Sequence, residues 1–208
     1  MSTVQLQRVD IAAPAPEDLA RADAWALVAS LMFAAPGREL LDAIARTPLL
    51  GEDAQGELGD AWRALQSACR DADPEALRQE FDDLFVGVGH PLVRPYASYY
   101  LAGVLNEAPL AALRDELAGL GFGRRPAVGY TEDHIAALAD VMRMLILGSA
   151  EEAAADVHVQ RRFFERFIRP WYLRLAQDMT AEPADFYRAV GRFLKAFLDV
   201  ETTSFEMT

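Results

Sequence analysis

Residues 80–100, EFDDLFVGVGHPLVRPYASYY, decide the architecture of this chain. Their first part predicts a helix, because Leu77, Phe81, Leu84 and Phe85 recur at the i, i+4, i+7, i+8 spacing of one apolar face. The helix must then end, since four structure-breaking residues follow: Gly87, Gly89, Pro91 and Pro95. Three tyrosines restart the helical pattern: Tyr96, Tyr99 and Tyr100. The stretch predicts an apolar aromatic surface with carboxylates at its rim.

The same pattern is also compatible with a plain core helix and its connection. Most apolar stripes on helices face a core, and Phe81, Leu84 and Phe85 would then be ordinary core residues. The spacing alone leaves both interpretations open.

The rest of the chain is helical in pattern and shows no convincing alternation of period two. Asp73 and Pro74 predict a helix start, as does Thr131, and Pro170 predicts a kink. We therefore expect an all-α protein, a single bundle of about nine helices. The predicted helices cover about 17–35, 38–46, 57–71, 110–119, 131–147, 157–178 and 183–200. One more is predicted to start at Pro74 and to stop before Gly87, and a short one is predicted around the tyrosines that begin at Tyr96.

The domain organisation is predicted from the same pattern. Residues 1–15 lack periodicity and are expected to form a flexible arm. Residues 16–208 are expected to form one all-helical domain, with a hinge at 148–156, where the residues are small and acidic. Such a hinge would permit either a monomer or a helix-exchanged dimer.

Composition excludes several classes of function. The 208 residues are 52% hydrophobic and 25% charged, which is typical of a globular protein. The formal net charge of -12 disfavours nucleic acids and anionic membranes as partners and favours a basic peptide. The N-terminal residues lack a secretory signal pattern and no apolar run is long enough to span a bilayer, so we expect a cytoplasmic protein. Cys69 is expected to be a buried small side chain.

Candidate chemical groups are few. His90 lies in the Gly/Pro loop, His158 is expected to be solvated, and His134 follows Asp133 at a predicted helix start. That last arrangement is fully explained as a capped helix, but a metal- or nucleotide-dependent hydrolase using the Asp133-His134 pair is the enzymatic alternative. No phosphate-binding loop or GxSxG motif is present. The arginine pairs at 124–125 and 161–162 are internal and are expected to be solvated.

Two gapped blocks carry a family resemblance. Glu80-Phe81-x-x-Leu84-Phe85-x-Gly87-x-Gly89 and Pro95-Tyr96-x-Ser98-x-Tyr100 resemble the signature of the TorD/DmsD family of redox-enzyme maturation chaperones. That family also carries Glu-Pro-x-Asp-His. Here Asp133-His134 matches, but Tyr130 and Thr131 replace the Glu and Pro.

The resemblance implies a chaperone, not an enzyme, that binds the twin-arginine signal peptide of a molybdenum-cofactor oxidoreductase and assists its maturation before export. The implied partner is the signal peptide and apo form of that enzyme, with no cofactor or metal held by the chaperone. The residues expected to bind the peptide are Phe81, Asp82, Asp83, Leu84, Phe85, Pro95, Tyr96, Ser98, Tyr99, Asp133 and His134. A scaffold that binds a folded partner through the Phe-rich final helices is a third hypothesis. The client enzyme, the oligomeric state and guanine-nucleotide binding are left open.

Overall fold

Ten α-helices and one π-helical turn make up the part of the chain that this computed structural model describes, residues 14–48, 55–87, 91–123, 129–148, 154–181 and 184–207. Within these ranges there is no β-strand, and one isolated antiparallel bridge joins Tyr96 to His134. The all-α prediction is therefore confirmed. The helices are α1 (Pro16–Phe33), α2 (Arg38–Arg46), α3 (Gly56–Asp71), α4 (Pro74–Phe81), α5 (Ala97–Ala102), α6 (Ala108–Gly119), α7 (Ile135–Leu147), α8 (Val157–Phe167), α9 (Tyr172–Ala181) and α10 (Phe186–Glu206), and the π-helical turn Asp82–Val86 continues α4.

The core is built from a few large helix contacts. Helix α1 packs along α7, and α10 packs against α9 and α3. Their apolar faces meet in one hydrophobic cluster whose largest fully buried side chains include Trp25, Trp171, Tyr187, Phe163 and Phe164. Cys69 is buried in the same cluster, as predicted. The division into an arm and one domain stays a prediction, because residues 1–13 and most of the 148–156 segment lie outside the described residues.

A proline divides the predicted helix at 157–178 into two. Pro170 has no N–H to donate and its ring would clash with a carbonyl one turn earlier, so α8 ends at Phe167 and α9 begins at Tyr172. The indole Nε1 of Trp171 donates to the Phe167 carbonyl at 2.6 Å and so satisfies one free acceptor at the end of α8. The prediction of a kink was thus too weak, because the chain makes a full break.

A buried ion pair connects α1 to α10. The Arg21 guanidinium donates to both carboxylate oxygens of Glu201, at 2.7 and 2.9 Å. The indole Nε1 of Trp25 donates to the same carboxylate at 3.1 Å. Because Glu201 is only 1% exposed, these donors replace the water that a carboxylate normally binds.

Helices α9 and α10 are in tight contact at Gly191. A Cβ placed there would lie 2.9 Å from the Cβ of Met179. We expect Gly191→Ala to lower the free energy of unfolding by about 1 to 3 kcal/mol, since the two helices must move apart. Chemical denaturation measures this change.

Gly119→Ala is the matched control for this prediction. No atom lies within 4 Å of a Cβ built at Gly119, which is the last residue of α6. Its replacement should be neutral or stabilise the protein by up to about 1 kcal/mol, because alanine favours the helix more than glycine does. Equal effects of the two substitutions would contradict a tight contact at Gly191.

Candidate functional site

An antiparallel bridge brings two motif segments together. The Ala97 N–H donates to the Asp133 carbonyl at 2.9 Å, and the Ile135 N–H donates to the Pro95 carbonyl at 2.9 Å. The Pro95-Tyr96-x-Ser98 block therefore lies against Asp133-His134, immediately before α7.

Asp133 forms the centre of this junction. Its carboxylate accepts hydrogen bonds from the Ser98 N–H at 2.9 Å, the Ser98 hydroxyl at 2.5 Å and the Thr131 hydroxyl at 2.6 Å. Both Asp133 and Ser98 are 0% exposed. Neither side chain reaches the surface, so in this structure they hold the two segments in place and are not accessible to a peptide.

His134 is the N-cap of α7, so the prediction that Thr131 caps this helix was wrong. The His134 Nδ1 atom accepts from the Ala136 N–H at 3.1 Å, and the helix begins at Ile135. The bridge to Pro95 explains the shift, because it holds His134 in extended conformation. The Thr131 hydroxyl instead donates a hydrogen bond to the Asp133 carboxylate.

The ring of His134 is packed between two tyrosines. Tyr130 stacks on it with centroids 4.5 Å apart, and Tyr96 meets it edge-on at 4.9 Å. Burial lowers the pKa of His134 to about 4, against the opposing effect of the Asp133 charge. The imidazole is therefore neutral at neutral pH, which suits its role as an acceptor at the helix start. Tyr130 stands where the resembled family has Glu, and in this chain its ring packs against His134.

The first motif packs on the start of α10. Glu80 Oε1 accepts from the Tyr187 N–H at 2.8 Å. Above this bond, the rings of Phe81, Phe85 and Tyr187 meet at centroid distances of 5.1 to 5.7 Å. Leu84 is buried beneath them, and its carbonyl accepts from the Val93 N–H at 2.9 Å, which closes the base of the Gly/Pro bend.

Both acids of the first motif lie on the surface. Asp82 and Asp83 are exposed, and Asp83 Oδ1 accepts from the Gln79 side chain at 2.8 Å. In the second motif, the aromatic ring of Tyr99 is half-buried and carries the Arg94 guanidinium 4.9 Å from its centroid. This ring face therefore already binds a guanidinium group.

The predicted residues fall into two groups by exposure. Six are exposed or half-buried: Phe81, Asp82, Asp83, Phe85, Tyr96 and Tyr99. Five are buried: Leu84, Pro95, Ser98, Asp133 and His134. The exposed group is accessible to a partner as the chain stands, and the buried group shapes the backbone beneath it.

Sequence reasoning missed several residues at this surface. Val86 is 59% exposed and Leu92 is 51% exposed, on the two sides of the Gly/Pro bend, and Leu101 is 42% exposed at the end of α5. The sequence feature that could have identified these three residues is an apolar side chain within or beside a loop. Tyr187 was also missed, because it lies in a different helix from the motif it contacts.

Two clefts lie away from these residues. One, of about 290 Å³, lies between α6 and α8 and is lined by Glu116, Arg162 and Arg166. The other, of about 470 Å³, lies between α3 and α10 and is lined by Leu58, Val200 and other residues. Neither is lined by a residue predicted to bind the peptide.

The alternative hypotheses find little support in the described residues. Among them, no three His, Cys, Asp or Glu side chains converge as a metal site would require, although His90 lies outside the described ranges. A scaffold using the phenylalanines of α8 and α10 would need them at the surface. They are buried: Phe163, Phe164, Phe167, Phe186, Phe193, Phe197 and Phe205. Arg162 pairs with Glu116 and Arg161 pairs with Glu165, while the other arginine pair is not described.

None of the described helices combines the length and the apolar content needed to cross a bilayer.

The fold and its joined motif segments place the chain among all-α helical-bundle proteins, and comparison with known proteins narrows this class. The family model for the nitrate reductase delta subunit matches residues 52–177. The chain is 28% identical over 172 residues to the chaperone protein TorD of Aliivibrio fischeri, with 79% of each chain covered. It is 27% identical over 169 residues to the TorD of Photobacterium profundum, with 77% of each covered. The chain therefore belongs to the nitrate reductase delta subunit family, the TorD family of chaperones that its motifs predicted.

A solved structure shares the fold. The crystal structure described as a redox enzyme maturation protein from Archaeoglobus fulgidus superposes with a TM-score of 0.57 at 19% identity, covering 96% of this chain and 99% of the other. At this identity the likeness concerns the fold alone.

Proposed function

We propose that this protein is a cytoplasmic chaperone that binds the twin-arginine signal peptide of a molybdenum-cofactor oxidoreductase and holds the apo form of that enzyme before export. One observation carries the proposal: four aromatic rings of the two motif segments remain half-buried, and two exposed carboxylates directly follow the first of these rings in the chain. The rings are Phe81, Phe85, Tyr96 and Tyr99, and the carboxylates are Asp82 and Asp83. A signal peptide offers the complementary chemistry, an arginine pair followed by an apolar segment.

The apolar surface supplies the affinity. Burying three apolar peptide side chains would contribute roughly 5 to 9 kcal/mol before ordering costs, at about 1.5 to 3 kcal/mol each. Val86 and Leu92 extend the apolar surface on both sides of the bend. Net binding near -8 kcal/mol, which corresponds to about 1 μM, is within reach of this balance.

The charges supply the preference for arginine. An exposed ion pair adds only about 0 to 1 kcal/mol, so Asp82 and Asp83 act mainly on the association rate, together with the net charge of -12. Arg94 on the Tyr99 ring shows the kind of contact that a peptide arginine would make or displace. In this proposal the protein performs no catalysis and holds no cofactor, and it acts as a monomer or a helix-exchanged dimer.

The proposal predicts that Phe85→Ala and Tyr96→Ala each weaken binding of a twin-arginine peptide about tenfold, because each removes part of a half-buried aromatic contact. Isothermal titration calorimetry measures the dissociation constant, and circular dichroism is expected to show unchanged helical content.

The control for these variants is Leu19→Ala. Leu19 is an apolar residue of α1 that is 45% exposed and belongs to neither motif. It should leave the affinity unchanged. A folded Phe85→Ala/Tyr96→Ala double variant that binds as tightly as the wild type would remove this surface from the proposal. A peptide with both arginines replaced by glutamine tests the acidic contribution separately.

A further inference from the structure

The hydroxyl of Tyr187 is a buried polar group without a partner. The Tyr187 side chain is 0% exposed, and no hydrogen bond joins its hydroxyl to any of the described residues. Two other buried tyrosines differ in this respect: the hydroxyls of Tyr100 and Tyr172 donate to Asp178 and Asp199, each at 2.7 Å. A buried hydroxyl left without a partner costs stability, so this one has no evident role in the free protein.

Packing does not explain the hydroxyl either. The Tyr187 ring makes aromatic contacts with Phe81, Phe85 and Phe186. A phenylalanine would make the same ring contacts. The bond from the Tyr187 N–H to Glu80 uses the backbone and would survive that change.

The ring that carries this hydroxyl contacts two residues of the proposed peptide site, Phe81 and Phe85. Phe81 and Phe85 are half-buried, so the aromatic cluster that covers Tyr187 reaches the surface. Burial, and secondarily the Glu80 charge, raise the pKa of Tyr187, so its hydroxyl keeps its proton and can act as a donor. Because Tyr187 is 0% exposed, a bound segment can reach this donor only after a neighbouring side chain has moved.

The chemistry indicates which peptide group it meets. An apolar segment that docks on these rings brings its backbone carbonyls out of water, and each carbonyl then needs a donor. An arginine side chain offers no acceptor, and its charge is complemented by Asp82 and Asp83 at the surface. A backbone carbonyl of the apolar segment is therefore the peptide group that would accept a hydrogen bond from the neutral Tyr187 hydroxyl.

We propose that Tyr187 is a peptide-binding residue, whose hydroxyl donates a hydrogen bond to a backbone carbonyl in the apolar segment of the bound peptide. This inference rests on the proposed function. It adds α10 to the binding surface and assigns the segment after the arginine pair to the cluster formed by Phe81, Phe85 and Tyr187.

Tyr187→Phe tests the inference, with opposite effects expected on stability and on binding. The variant should melt at the same temperature as the wild type or higher, because the hydroxyl that it lacks makes no hydrogen bond in the folded wild type. It should bind a twin-arginine peptide about five- to tenfold more weakly, since one hydrogen bond is missing only in the complex. Calorimetric titration and thermal unfolding give the two values.

Tyr172→Phe is the matched control, since its hydroxyl already donates to Asp199. This variant should melt at a lower temperature and bind the peptide with unchanged affinity. If the wild type binds and Tyr187→Phe binds equally well, the inference is overturned while the proposed function stands. A lower melting temperature for Tyr187→Phe would also overturn it, because the hydroxyl would then have a partner in the free protein. Absence of binding by the wild type would overturn the proposed function and this inference together.

Discussion

Arg21→Ala is expected to lower the free energy of unfolding by about 3 to 5 kcal/mol, which is the usual cost of leaving one member of a buried ion pair without its partner. Glu201 would keep the indole of Trp25 as a donor but would lose two charged hydrogen bonds at 2.7 and 2.9 Å. The loss would affect the contact between α1 and α10, since Arg21 and Glu201 belong to these two helices. Chemical denaturation followed by circular dichroism measures the change.

A double-mutant cycle separates the charge from the packing. Glu201→Gln in the Arg21→Ala background removes the uncompensated charge, so the double variant should be more stable than Arg21→Ala alone. The control is the pair of Arg161 and Glu165, at 3.0 Å, whose side chains are 38% and 34% exposed, and Arg161→Ala should cost only about 0 to 1 kcal/mol. Comparable losses for Arg21→Ala and Arg161→Ala would show that burial of Glu201 does not determine the effect.

The second large effect is a loss of stability in acid that depends on His134. The pKa of His134 is about 4 in the folded protein, below its ordinary value of 6.5. Between these two pH values the unfolded chain binds a proton that the folded chain does not, so stability falls as pH falls through this window. The expected loss from pH 7 to pH 4 is about 3 kcal/mol.

His134→Asn isolates this contribution, because asparagine can also accept the hydrogen bond at the helix start but does not titrate. The variant will differ from the wild type at pH 7 through its lost ring contacts, so the slope with pH is the informative quantity. It should be shallower than that of the wild type between pH 6.5 and pH 4. Parallel curves for the wild type and His134→Asn would contradict a buried neutral histidine.

Local patterns in the sequence were sufficient to predict most of the helices. The predicted starts of α2 at residue 38 and of α4 at Pro74 match the structure. The Asp73 carboxylate accepts from the Ala76 N–H at 3.3 Å, as expected of a helix cap. These features depend on neighbours within one turn. Pro170 was recognised, but the strength of its effect depends on how Trp171 completes the end of α8.

The candidate site was harder to predict, because its contacts join distant parts of the chain. The motif residues were identified, but nothing local showed that Asp133 turns inward to meet Ser98, 35 residues earlier. The same bridge moves the helix start from Thr131 to His134. A carboxylate in a helix-start pattern is equally compatible with solvent and with a buried acceptor until its partners are known.

The hydrogen bond between Glu80 and Tyr187 has a consequence for how the protein is made. The two residues are 107 positions apart, so the first motif reaches its final packing only after α10 has been synthesised and has docked. At about 5 to 20 residues per second, this interval lasts roughly 5 to 20 s on the ribosome. During that time Phe81 and Phe85 are uncovered on the nascent chain, which is then itself an apolar client for general folding factors.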